Sequence, residues 1–306
     1  MQIQAATVSR SAGQWLRPLR HCLKLLVPAA AVLCTNAMAG ITVFEATGES
    51  AAAITPTRDA FRVAVGGGTA LTVGVPGDFG GLRREINWDG VPDGRADPNL
   101  LPGNFFNVNS PRGVVFSTTG TGFLVSANAC VTPALAPPCV QTTPLLFGFP
   151  GDLVAFSAQK VFGIVGSNVM DIKFFVPGTT TAATTSAFAS VFVDLENNDT
   201  IDFTTMQFFD KDNVEIFNRK ALATNVTKSL SFLGGVANAG ERIAKVTITT
   251  PDNFLLSNGV RSNEIHDFVI MDDFIYATPA AIPEPGIWAM VLLGLGVVGW
   301  RTRKRA

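Results

Sequence analysis

The central part of this 306-residue sequence, residues 40–278, is predicted to fold as one all-β domain, a jelly-roll-like β-sandwich with one short helix. Gly, Thr, Asn, Val and Phe dominate its composition, whereas long runs of helix-forming residues are missing. Short apolar stretches recur along it, separated by Gly, Pro and Asn, and several alternate between apolar and polar residues. Many short strands at modest spacing are typical of a sandwich.

The helix is predicted at residues 55–65. Thr55 is a suitable N-cap and Pro56 fits the first turn, while the glycines at 66–68 end the helix. Four residues are expected to form its apolar face: Ala60, Phe61, Ala64 and Val65.

All other elements predicted within residues 40–278 are strands. Alternation is clearest at residues 170–176, where Met170, Ile172 and Phe174 point to one face. It recurs at residues 189–195, with Val191, Val193 and Leu195 on one face, and at residues 241–249. Further strands are predicted at residues 41–44, 71–75, 113–117, 123–126, 153–156, 202–209, 214–217, 230–233 and 268–276.

The stretch from Gly80 to Ser110 has little periodicity and is rich in Asp, Gly and Pro. Long loops on a rigid sandwich often carry binding residues, so this stretch is a candidate binding region.

The first 39 residues are predicted to be a secretory signal peptide. Four basic residues precede the apolar run 25–33, and Ala37 and Ala39 form a small-residue cleavage site. The apolar run is too short to cross about 30 Å of hydrocarbon as a helix. We therefore expect cleavage after Ala39.

Residues 279–306 have a different pattern. Pro283, Glu284 and Pro285 precede an uncharged apolar stretch at 286–300, which is predicted to be a transmembrane helix, and a basic tail follows at 301–306. Basic residues beside an apolar helix remain cytoplasmic, which places the body of the protein on the other side of the membrane. The two prolines keep the segment around Glu284 extended and accessible.

These three parts, in this order, resemble the PEP-CTERM sorting signal of Gram-negative bacteria. In that family an integral-membrane exosortase recognises the motif and releases or transfers its substrate. The resemblance implies that Pro283, Glu284 and Pro285 are sorting-recognition residues and that signal peptidase, exosortase and, transiently, the inner membrane are partners. The central region also resembles surface domains found in front of this signal, a likeness that implies no activity.

Charge and cysteine content agree with export. Without the four basic residues of each end and Glu284, fifteen basic and twenty-three acidic residues remain, a net charge near −8. This charge argues against nucleic acid as a partner. In an oxidising compartment, Cys130 and Cys139 are expected to form a disulfide that closes a short loop.

The sequence offers little support for catalysis. His266 is the only histidine after the signal segment, and no Gly-x-Ser-x-Gly motif accompanies it, so we assign no catalytic residue and interpret His266 as a solvated surface side chain.

The sequence has no His/Cys cluster that would suit zinc. A structural Ca²⁺ is the one cofactor that it suggests, because jelly-roll termini often pair, and a solvated edge strand is the alternative. If the first strand lies beside the last, Glu45 meets Asp272 or Asp273, and such oxygen ligands suit Ca²⁺. Because neighbours in a strand point to opposite faces, one of these two Asp residues is expected to be solvated or compensated. Three other acidic residues form a weaker candidate set: Asp89, Asp93 and Asp97.

The expected function is that of a non-enzymatic structural protein of the cell surface or extracellular matrix, associated with exopolysaccharide. A carbohydrate-binding module is the alternative, with Trp88 as a sugar-stacking side chain and Phe105 and Phe106 as either stacking or core residues. A polysaccharide hydrolase or lyase ranks third.

Overall fold

The computed structural model describes residues 40–68, 79–127, 145–197, 201–238, 242–257 and 259–282. These residues form an all-β sandwich, which confirms the predicted fold class. The predicted strand at 71–75 lies outside the described residues.

Most elements of the described residues are short strands. In chain order they are β1 (Ile41–Gly48), α1 (Ala51–Val65), β2 (Arg83–Ile86), α2 (Phe105–Val108), β3 (Val114–Thr118), β4 (Gly122–Val125), β5 (Phe162–Val165), β6 (Val169–Phe174), β7 (Ala183–Thr184), β8 (Ala187–Val193), β9 (Thr205–Phe209), β10 (Glu215–Lys220), β11 (Leu230–Ala237), β12 (Lys245–Thr249), β13 (Ile270–Ala277) and β14 (Ala280–Ala281). Short 3-10 turns lie at Asp93–Arg95 and Leu146–Gly148.

Two antiparallel sheets make up the sandwich. The larger sheet has the order β1-β11-β8-β13-β5-β4, and β2 pairs with the second half of β13. The smaller sheet has the order β10-β9-β12-β6-β3. A separate two-stranded pair joins β14 to β7.

The main core lies between the two sheets. Phe188, Phe192 and Phe274 of the larger sheet share one hydrophobic cluster with Ile172 and Phe208 of the smaller sheet. The alternation predicted along β6 and β12 is confirmed, because the buried residues of these strands are every second one. These two strands bury one face and leave the other partly exposed, which is the arrangement that period-two alternation indicates.

A second core lies on the outer face of the larger sheet, under α1. Ile54 and Phe61 of the helix pack with Val191, Phe232 and Ile275. Strands β8 and β13 are therefore buried on both faces along their whole length. The prediction for residues 189–195 gave one buried face, whereas β8 buries both of its faces.

Helix α1 begins four residues before the predicted start, and its predicted apolar face is partly wrong. Ala60 and Ala64 are exposed, whereas Ile54 and Arg62 are buried with Phe61. Because the helix starts earlier, Ile54 is the first of its buried residues, and Phe61 follows two turns later on the face that packs against the sheet. The end of the helix at Gly66 agrees with the prediction, and Gly66 has a positive φ of 107°.

A buried ionic triad attaches α1 to the sheet. Glu85 of β2 accepts hydrogen bonds from Arg62 Nε (2.9 Å) and Nη2 (2.5 Å), and from Arg83 Nε (2.7 Å). Arg83 is fully buried. Its Nη1 donates to the carbonyl oxygen of Arg62 in the last turn of the helix and to those of Gly66 and Gly68, which follow the helix. Two guanidinium groups that α1 and β2 bring together thus share the carboxylate of Glu85, and Arg62 Nη1 also donates to Asp59 Oδ1 (3.2 Å).

Candidate functional site

A cleft of about 340 Å³ opens beside β2 and α2. It lies in the stretch from Gly80 to Ser110 that the sequence singled out, together with the residues that follow it. Eleven residues line it: Ile86, Asn87, Trp88, Gly90, Val91, Pro92, Phe105, Phe106, Asn109, Ser110 and Arg112. The lining combines aromatic and aliphatic side chains with amide, hydroxyl and guanidinium groups. Such a mixture is usual in small-molecule sites.

The prediction that Trp88 presents an open stacking surface is wrong. Trp88 is only 1% exposed and stacks on Phe162 with ring centroids 4.0 Å apart and planes at 4°. Phe106 and Phe274 contact its ring edge to face. Trp88 therefore belongs to the core between the sheets and reaches the cleft only as part of its wall.

The core interpretation of Phe105 and Phe106 agrees with the structure, since both are buried in the main cluster. They lie in α2, a single helical turn whose backbone is closed by bonds such as that from Asn109 N to Phe105 O (3.0 Å). This turn places Asn109, Ser110 and Arg112 in the lining of the cleft.

Arg112 is the charged residue that sequence reasoning missed. Its Nη1 donates to Ser110 Oγ (2.7 Å), and its guanidinium carbon lies 5.2 Å from the Phe106 ring centroid. Burial lowers the pKa of Arg112, and the nearby Arg84 lowers it further, whereas Tyr276 raises it. The available signal was its position directly after the aromatic tract 102–110.

Two of the three acidic residues of the weaker candidate set, Asp89 and Asp93, contact Lys160. Asp89 Oδ1 accepts from the backbone N–H groups of Gln159 (2.5 Å) and Lys160 (3.0 Å). The Nζ of Lys160, a fully buried residue, donates to Val91 O (2.5 Å) and lies 3.3 Å from Asp93 Oδ1. Burial raises the pKa of Asp97. This arrangement anchors the loop to the sandwich.

The expectation that the first and last strands pair is wrong, and with it the geometry predicted for calcium. Strand β1 pairs with β11, and β8 separates β11 from β13. Glu45 is therefore about 14 Å from Asp272 and Asp273 across the sheet, at about 4.8 Å per strand, and forms an ion pair with Arg219 (2.6 Å). Within the described ranges, no group of three or more His, Cys, Asp or Glu side chains is arranged to hold a metal ion.

Asp272 and Asp273 are both buried, and their carboxylates meet instead of pointing to opposite faces. Ser157 Oγ lies 3.2 Å from Asp272 Oδ1 and donates to Asp273 Oδ1 (2.8 Å). The ladder between β13 and β8 is interrupted between Asp272 and Phe274, so the extra residue turns both side chains toward Ser157.

Burial raises the pKa of both carboxyl groups, that of Asp272 well above its usual range and that of Asp273 to about 6. Asp272 is compensated, as expected for one of the pair. Its Oδ2 accepts hydrogen bonds from the backbone N–H groups of Phe156 (2.7 Å) and Ser157 (3.2 Å). Both groups serve to hold the segment around Ser157 on the sheet.

A further buried carboxyl group, Asp194, makes the stability of the fold depend on pH. Burial raises the pKa of Asp194 to about 7, and Asp267, Glu196 and Asp152 add to the shift by repulsion. The folded state therefore holds this proton more tightly than the unfolded chain, whose pKa is about 3.9. The free energy of unfolding should accordingly fall as pH rises from about 4 to about 7.

We predict that Asp194→Asn removes part of this pH dependence. Asn keeps the oxygen that accepts from Lys228 N (2.8 Å) and tolerates the φ of 66° at this position. The variant should exceed the unsubstituted chain in stability by about 1–3 kcal/mol at pH 8, allowing for solvent screening, and equal it near pH 4. Urea denaturation of both chains at the two pH values measures this, and a difference that does not change with pH contradicts it.

His266 is partly exposed and less solvated than expected, because its Nδ1 lies 3.0 Å from Asp202 Oδ1. The pair joins two loops at one end of the sandwich and has no nucleophile bonded to it among the described residues.

The last described residues, 280–282, are hydrogen-bonded to the domain. Strand β14 pairs with β7, and the backbone N–H of Ile282 donates to Ala182 O (3.5 Å). The next residue is Pro283. The folded domain thus extends to the start of the C-terminal motif.

Several predicted residues lie outside the described part: Ala37, Ala39, Cys130, Cys139, Pro283, Glu284, Pro285 and the apolar stretch 286–300. The cleavage site, the disulfide and the transmembrane helix therefore stay predictions. Where the structure does describe helices, none has both the length and the apolar character that a membrane span needs.

Comparison with known proteins identifies the C-terminal segment. Residues 281–305 match the family model of the PEP-CTERM protein-sorting motif, which confirms the resemblance deduced from the sequence. The motif implies export, a C-terminal sorting signal resembling a membrane anchor, and an exosortase as processing partner. Neither the curated proteins nor the solved structures contain a match to this chain.

Proposed function

We propose that this chain, which carries a PEP-CTERM sorting motif, is a non-enzymatic structural protein of the cell surface or extracellular matrix, associated with exopolysaccharide. The match at residues 281–305 is the observation that carries the proposal. In this proposal signal peptidase removes residues 1–39, the chain stops in the inner membrane by its apolar stretch 286–300, and exosortase then processes it.

The described domain supports a structural role. The buried acidic groups Asp272, Asp273 and Asp194 each accept hydrogen bonds that hold loops on the sandwich. A glycosidase needs two carboxylates facing a substrate across several ångströms. Asp272 and Asp273 instead face Ser157 from within the sheet, at 0% and 4% exposure.

A carbohydrate-binding module is the second candidate, and the cleft beside Trp88 favours it. Apolar and polar side chains both line this cleft, as they do in sites for sugars, which present an apolar ring face and hydroxyl groups. The two candidates are compatible, because a surface module that binds a polysaccharide also associates with the matrix.

The sorting proposal predicts that Glu284→Gln reduces processing at least tenfold. Glu284 is the only carboxylate of the motif, and it lies between the two prolines of the motif. The tagged chain is expressed in its source cells and in a strain without exosortase, and immunoblots of inner-membrane and extracellular fractions give the processed fraction. Glu264→Gln, which neutralises an exposed carboxylate outside the motif, is the matched control.

The unsubstituted chain and the control should appear outside the cell in a shortened form. The Glu284→Gln chain, and every chain in the strain without exosortase, should remain full-length in the inner membrane. A shortened extracellular product in equal amount from both strains would refute the proposal.

A further inference from the structure

Two donors of residues that line the cleft have no acceptor within the described part of the chain. The indole Nε1 of Trp88 and the Nε of Arg112 are both buried, and neither forms a hydrogen bond with any residue that the structure describes. Buried N–H groups in folded proteins nearly always have a partner. Both side chains line the same cleft and contact Phe106. A ligand that satisfies them must present oxygen acceptors at this wall.

The charge of the cleft selects the kind of acceptor. Arg112 is its charged lining residue, and none of the eleven described residues that line it is acidic. Arg84 lies close enough to Arg112 for the two positive charges to repel each other. A negatively charged ligand would offset this repulsion as well as the cost of burying a guanidinium group, whereas a neutral ligand could only accept hydrogen bonds and would leave the repulsion in place.

The remaining walls select the shape of the ligand. Phe105, Phe106, Val91 and Pro92 provide apolar surface, while Asn109 and Ser110 provide amide and hydroxyl groups. The cleft volume of about 340 Å³ is near the lower end of the range for small-molecule sites. A single ring with one apolar face, several hydroxyl groups and an oxyanion fits this combination.

We propose that the cleft binds the carboxylate-bearing ring of an acidic sugar, a uronic acid, through Arg112 and the indole N–H of Trp88. Guanidinium and carboxylate groups match in planar geometry, so Arg112 is the residue that distinguishes the acidic sugar from a neutral one. The proposal rests on the proposed association with exopolysaccharide and adds the class of sugar to it.

Trp88 can report on its own site. The sequence has four Trp residues, so substituting Trp15, Trp288 and Trp300 by Phe leaves Trp88 as the only indole fluorophore of the full chain. This chain, purified in detergent, is titrated with trigalacturonate and with neutral galactotriose. We expect a saturable change in emission with trigalacturonate and at least tenfold weaker binding of galactotriose.

Two substitutions test the assigned residue. Arg112→Gln should weaken trigalacturonate binding at least tenfold, and Arg112→Lys should fall between Gln and the unsubstituted residue because it keeps the charge but not the planar fork. Arg95→Gln, which removes an exposed positive charge from the same loop but outside the cleft, should bind normally. Thermal melts of each variant verify folding, and if Arg112→Gln does not fold, the comparison of the two trisaccharides decides.

Equal binding of the acidic and neutral trisaccharides would overturn the inference, as would normal binding by folded Arg112→Gln. Full competition by inorganic sulfate or phosphate at the same concentration would show a general oxyanion site and overturn the assignment to a sugar. If sorting depends on Glu284 but no trisaccharide binds, the inference about the cleft fails while the sorting proposal stands.

Discussion

Glu85→Ala should lower the free energy of unfolding by about 3–5 kcal/mol, because it leaves two buried guanidinium groups without their shared carboxylate. Arg62 and Arg83 each donate to Glu85, and both are buried between α1 and β2. The attachment of α1 covers the second core, so its loss should also expose Phe61 and Phe232. Urea denaturation followed by circular dichroism measures the change.

Two controls define the cause. Glu85→Gln keeps one acceptor oxygen and should recover part of the loss, whereas Glu215→Ala removes an exposed carboxylate and should change stability by no more than about 0.5 kcal/mol. If Glu85→Ala costs no more than Glu215→Ala, the triad does not hold the helix.

Trp88→Ala should destabilise the fold by about 3–5 kcal/mol, the usual cost of removing a large aromatic side chain from a core. The substitution removes the stack on Phe162 and the edge contacts with Phe106 and Phe274, and leaves a cavity between the sheets. Trp88→Phe should cost less, because it retains an aromatic ring there. Denaturation of the variants, with the exposed Val63→Ala as control, measures these differences.

A loss below about 1 kcal/mol for Trp88→Ala would contradict the central position of this residue. The expected size of the effect also changes how a binding assay must be designed. Sugar binding abolished by Trp88→Ala would report unfolding as readily as a lost contact, so Arg112→Gln is the informative substitution.

The alternating sequence pattern predicted correctly which side chains are buried in those strands that have one solvent-facing side. Strands β6 and β12 alternate because polar residues occupy their outer face. Strand β2 was missed because its alternate charged residues, Arg83 and Glu85, are buried in an ion-paired network, and charge usually indicates exposure. Residues 153–156 have strand-like composition but form a loop over the second core.

Two features of the candidate sites depend on pairing between distant strands. The order of the strands places β11 and β8 between β1 and β13, which separates Glu45 from Asp272. The irregularity at Asp273 brings two neighbouring carboxylates to one hydroxyl group. The alternation of apolar and polar residues along one strand contains no information on the order of the strands or on this irregularity. The sorting motif, in contrast, is a linear signal and could be predicted without the fold.

The short pair of β14 with β7 has a consequence for what remains after processing. Ile282 is still hydrogen-bonded to the domain, and Pro283 follows it immediately. A cut at or just after the motif would therefore leave almost no free chain between the sandwich and its new C-terminus. Any molecule joined there would lie directly against the β7–β14 edge, and the orientation of the domain relative to that molecule would be restricted by the fold.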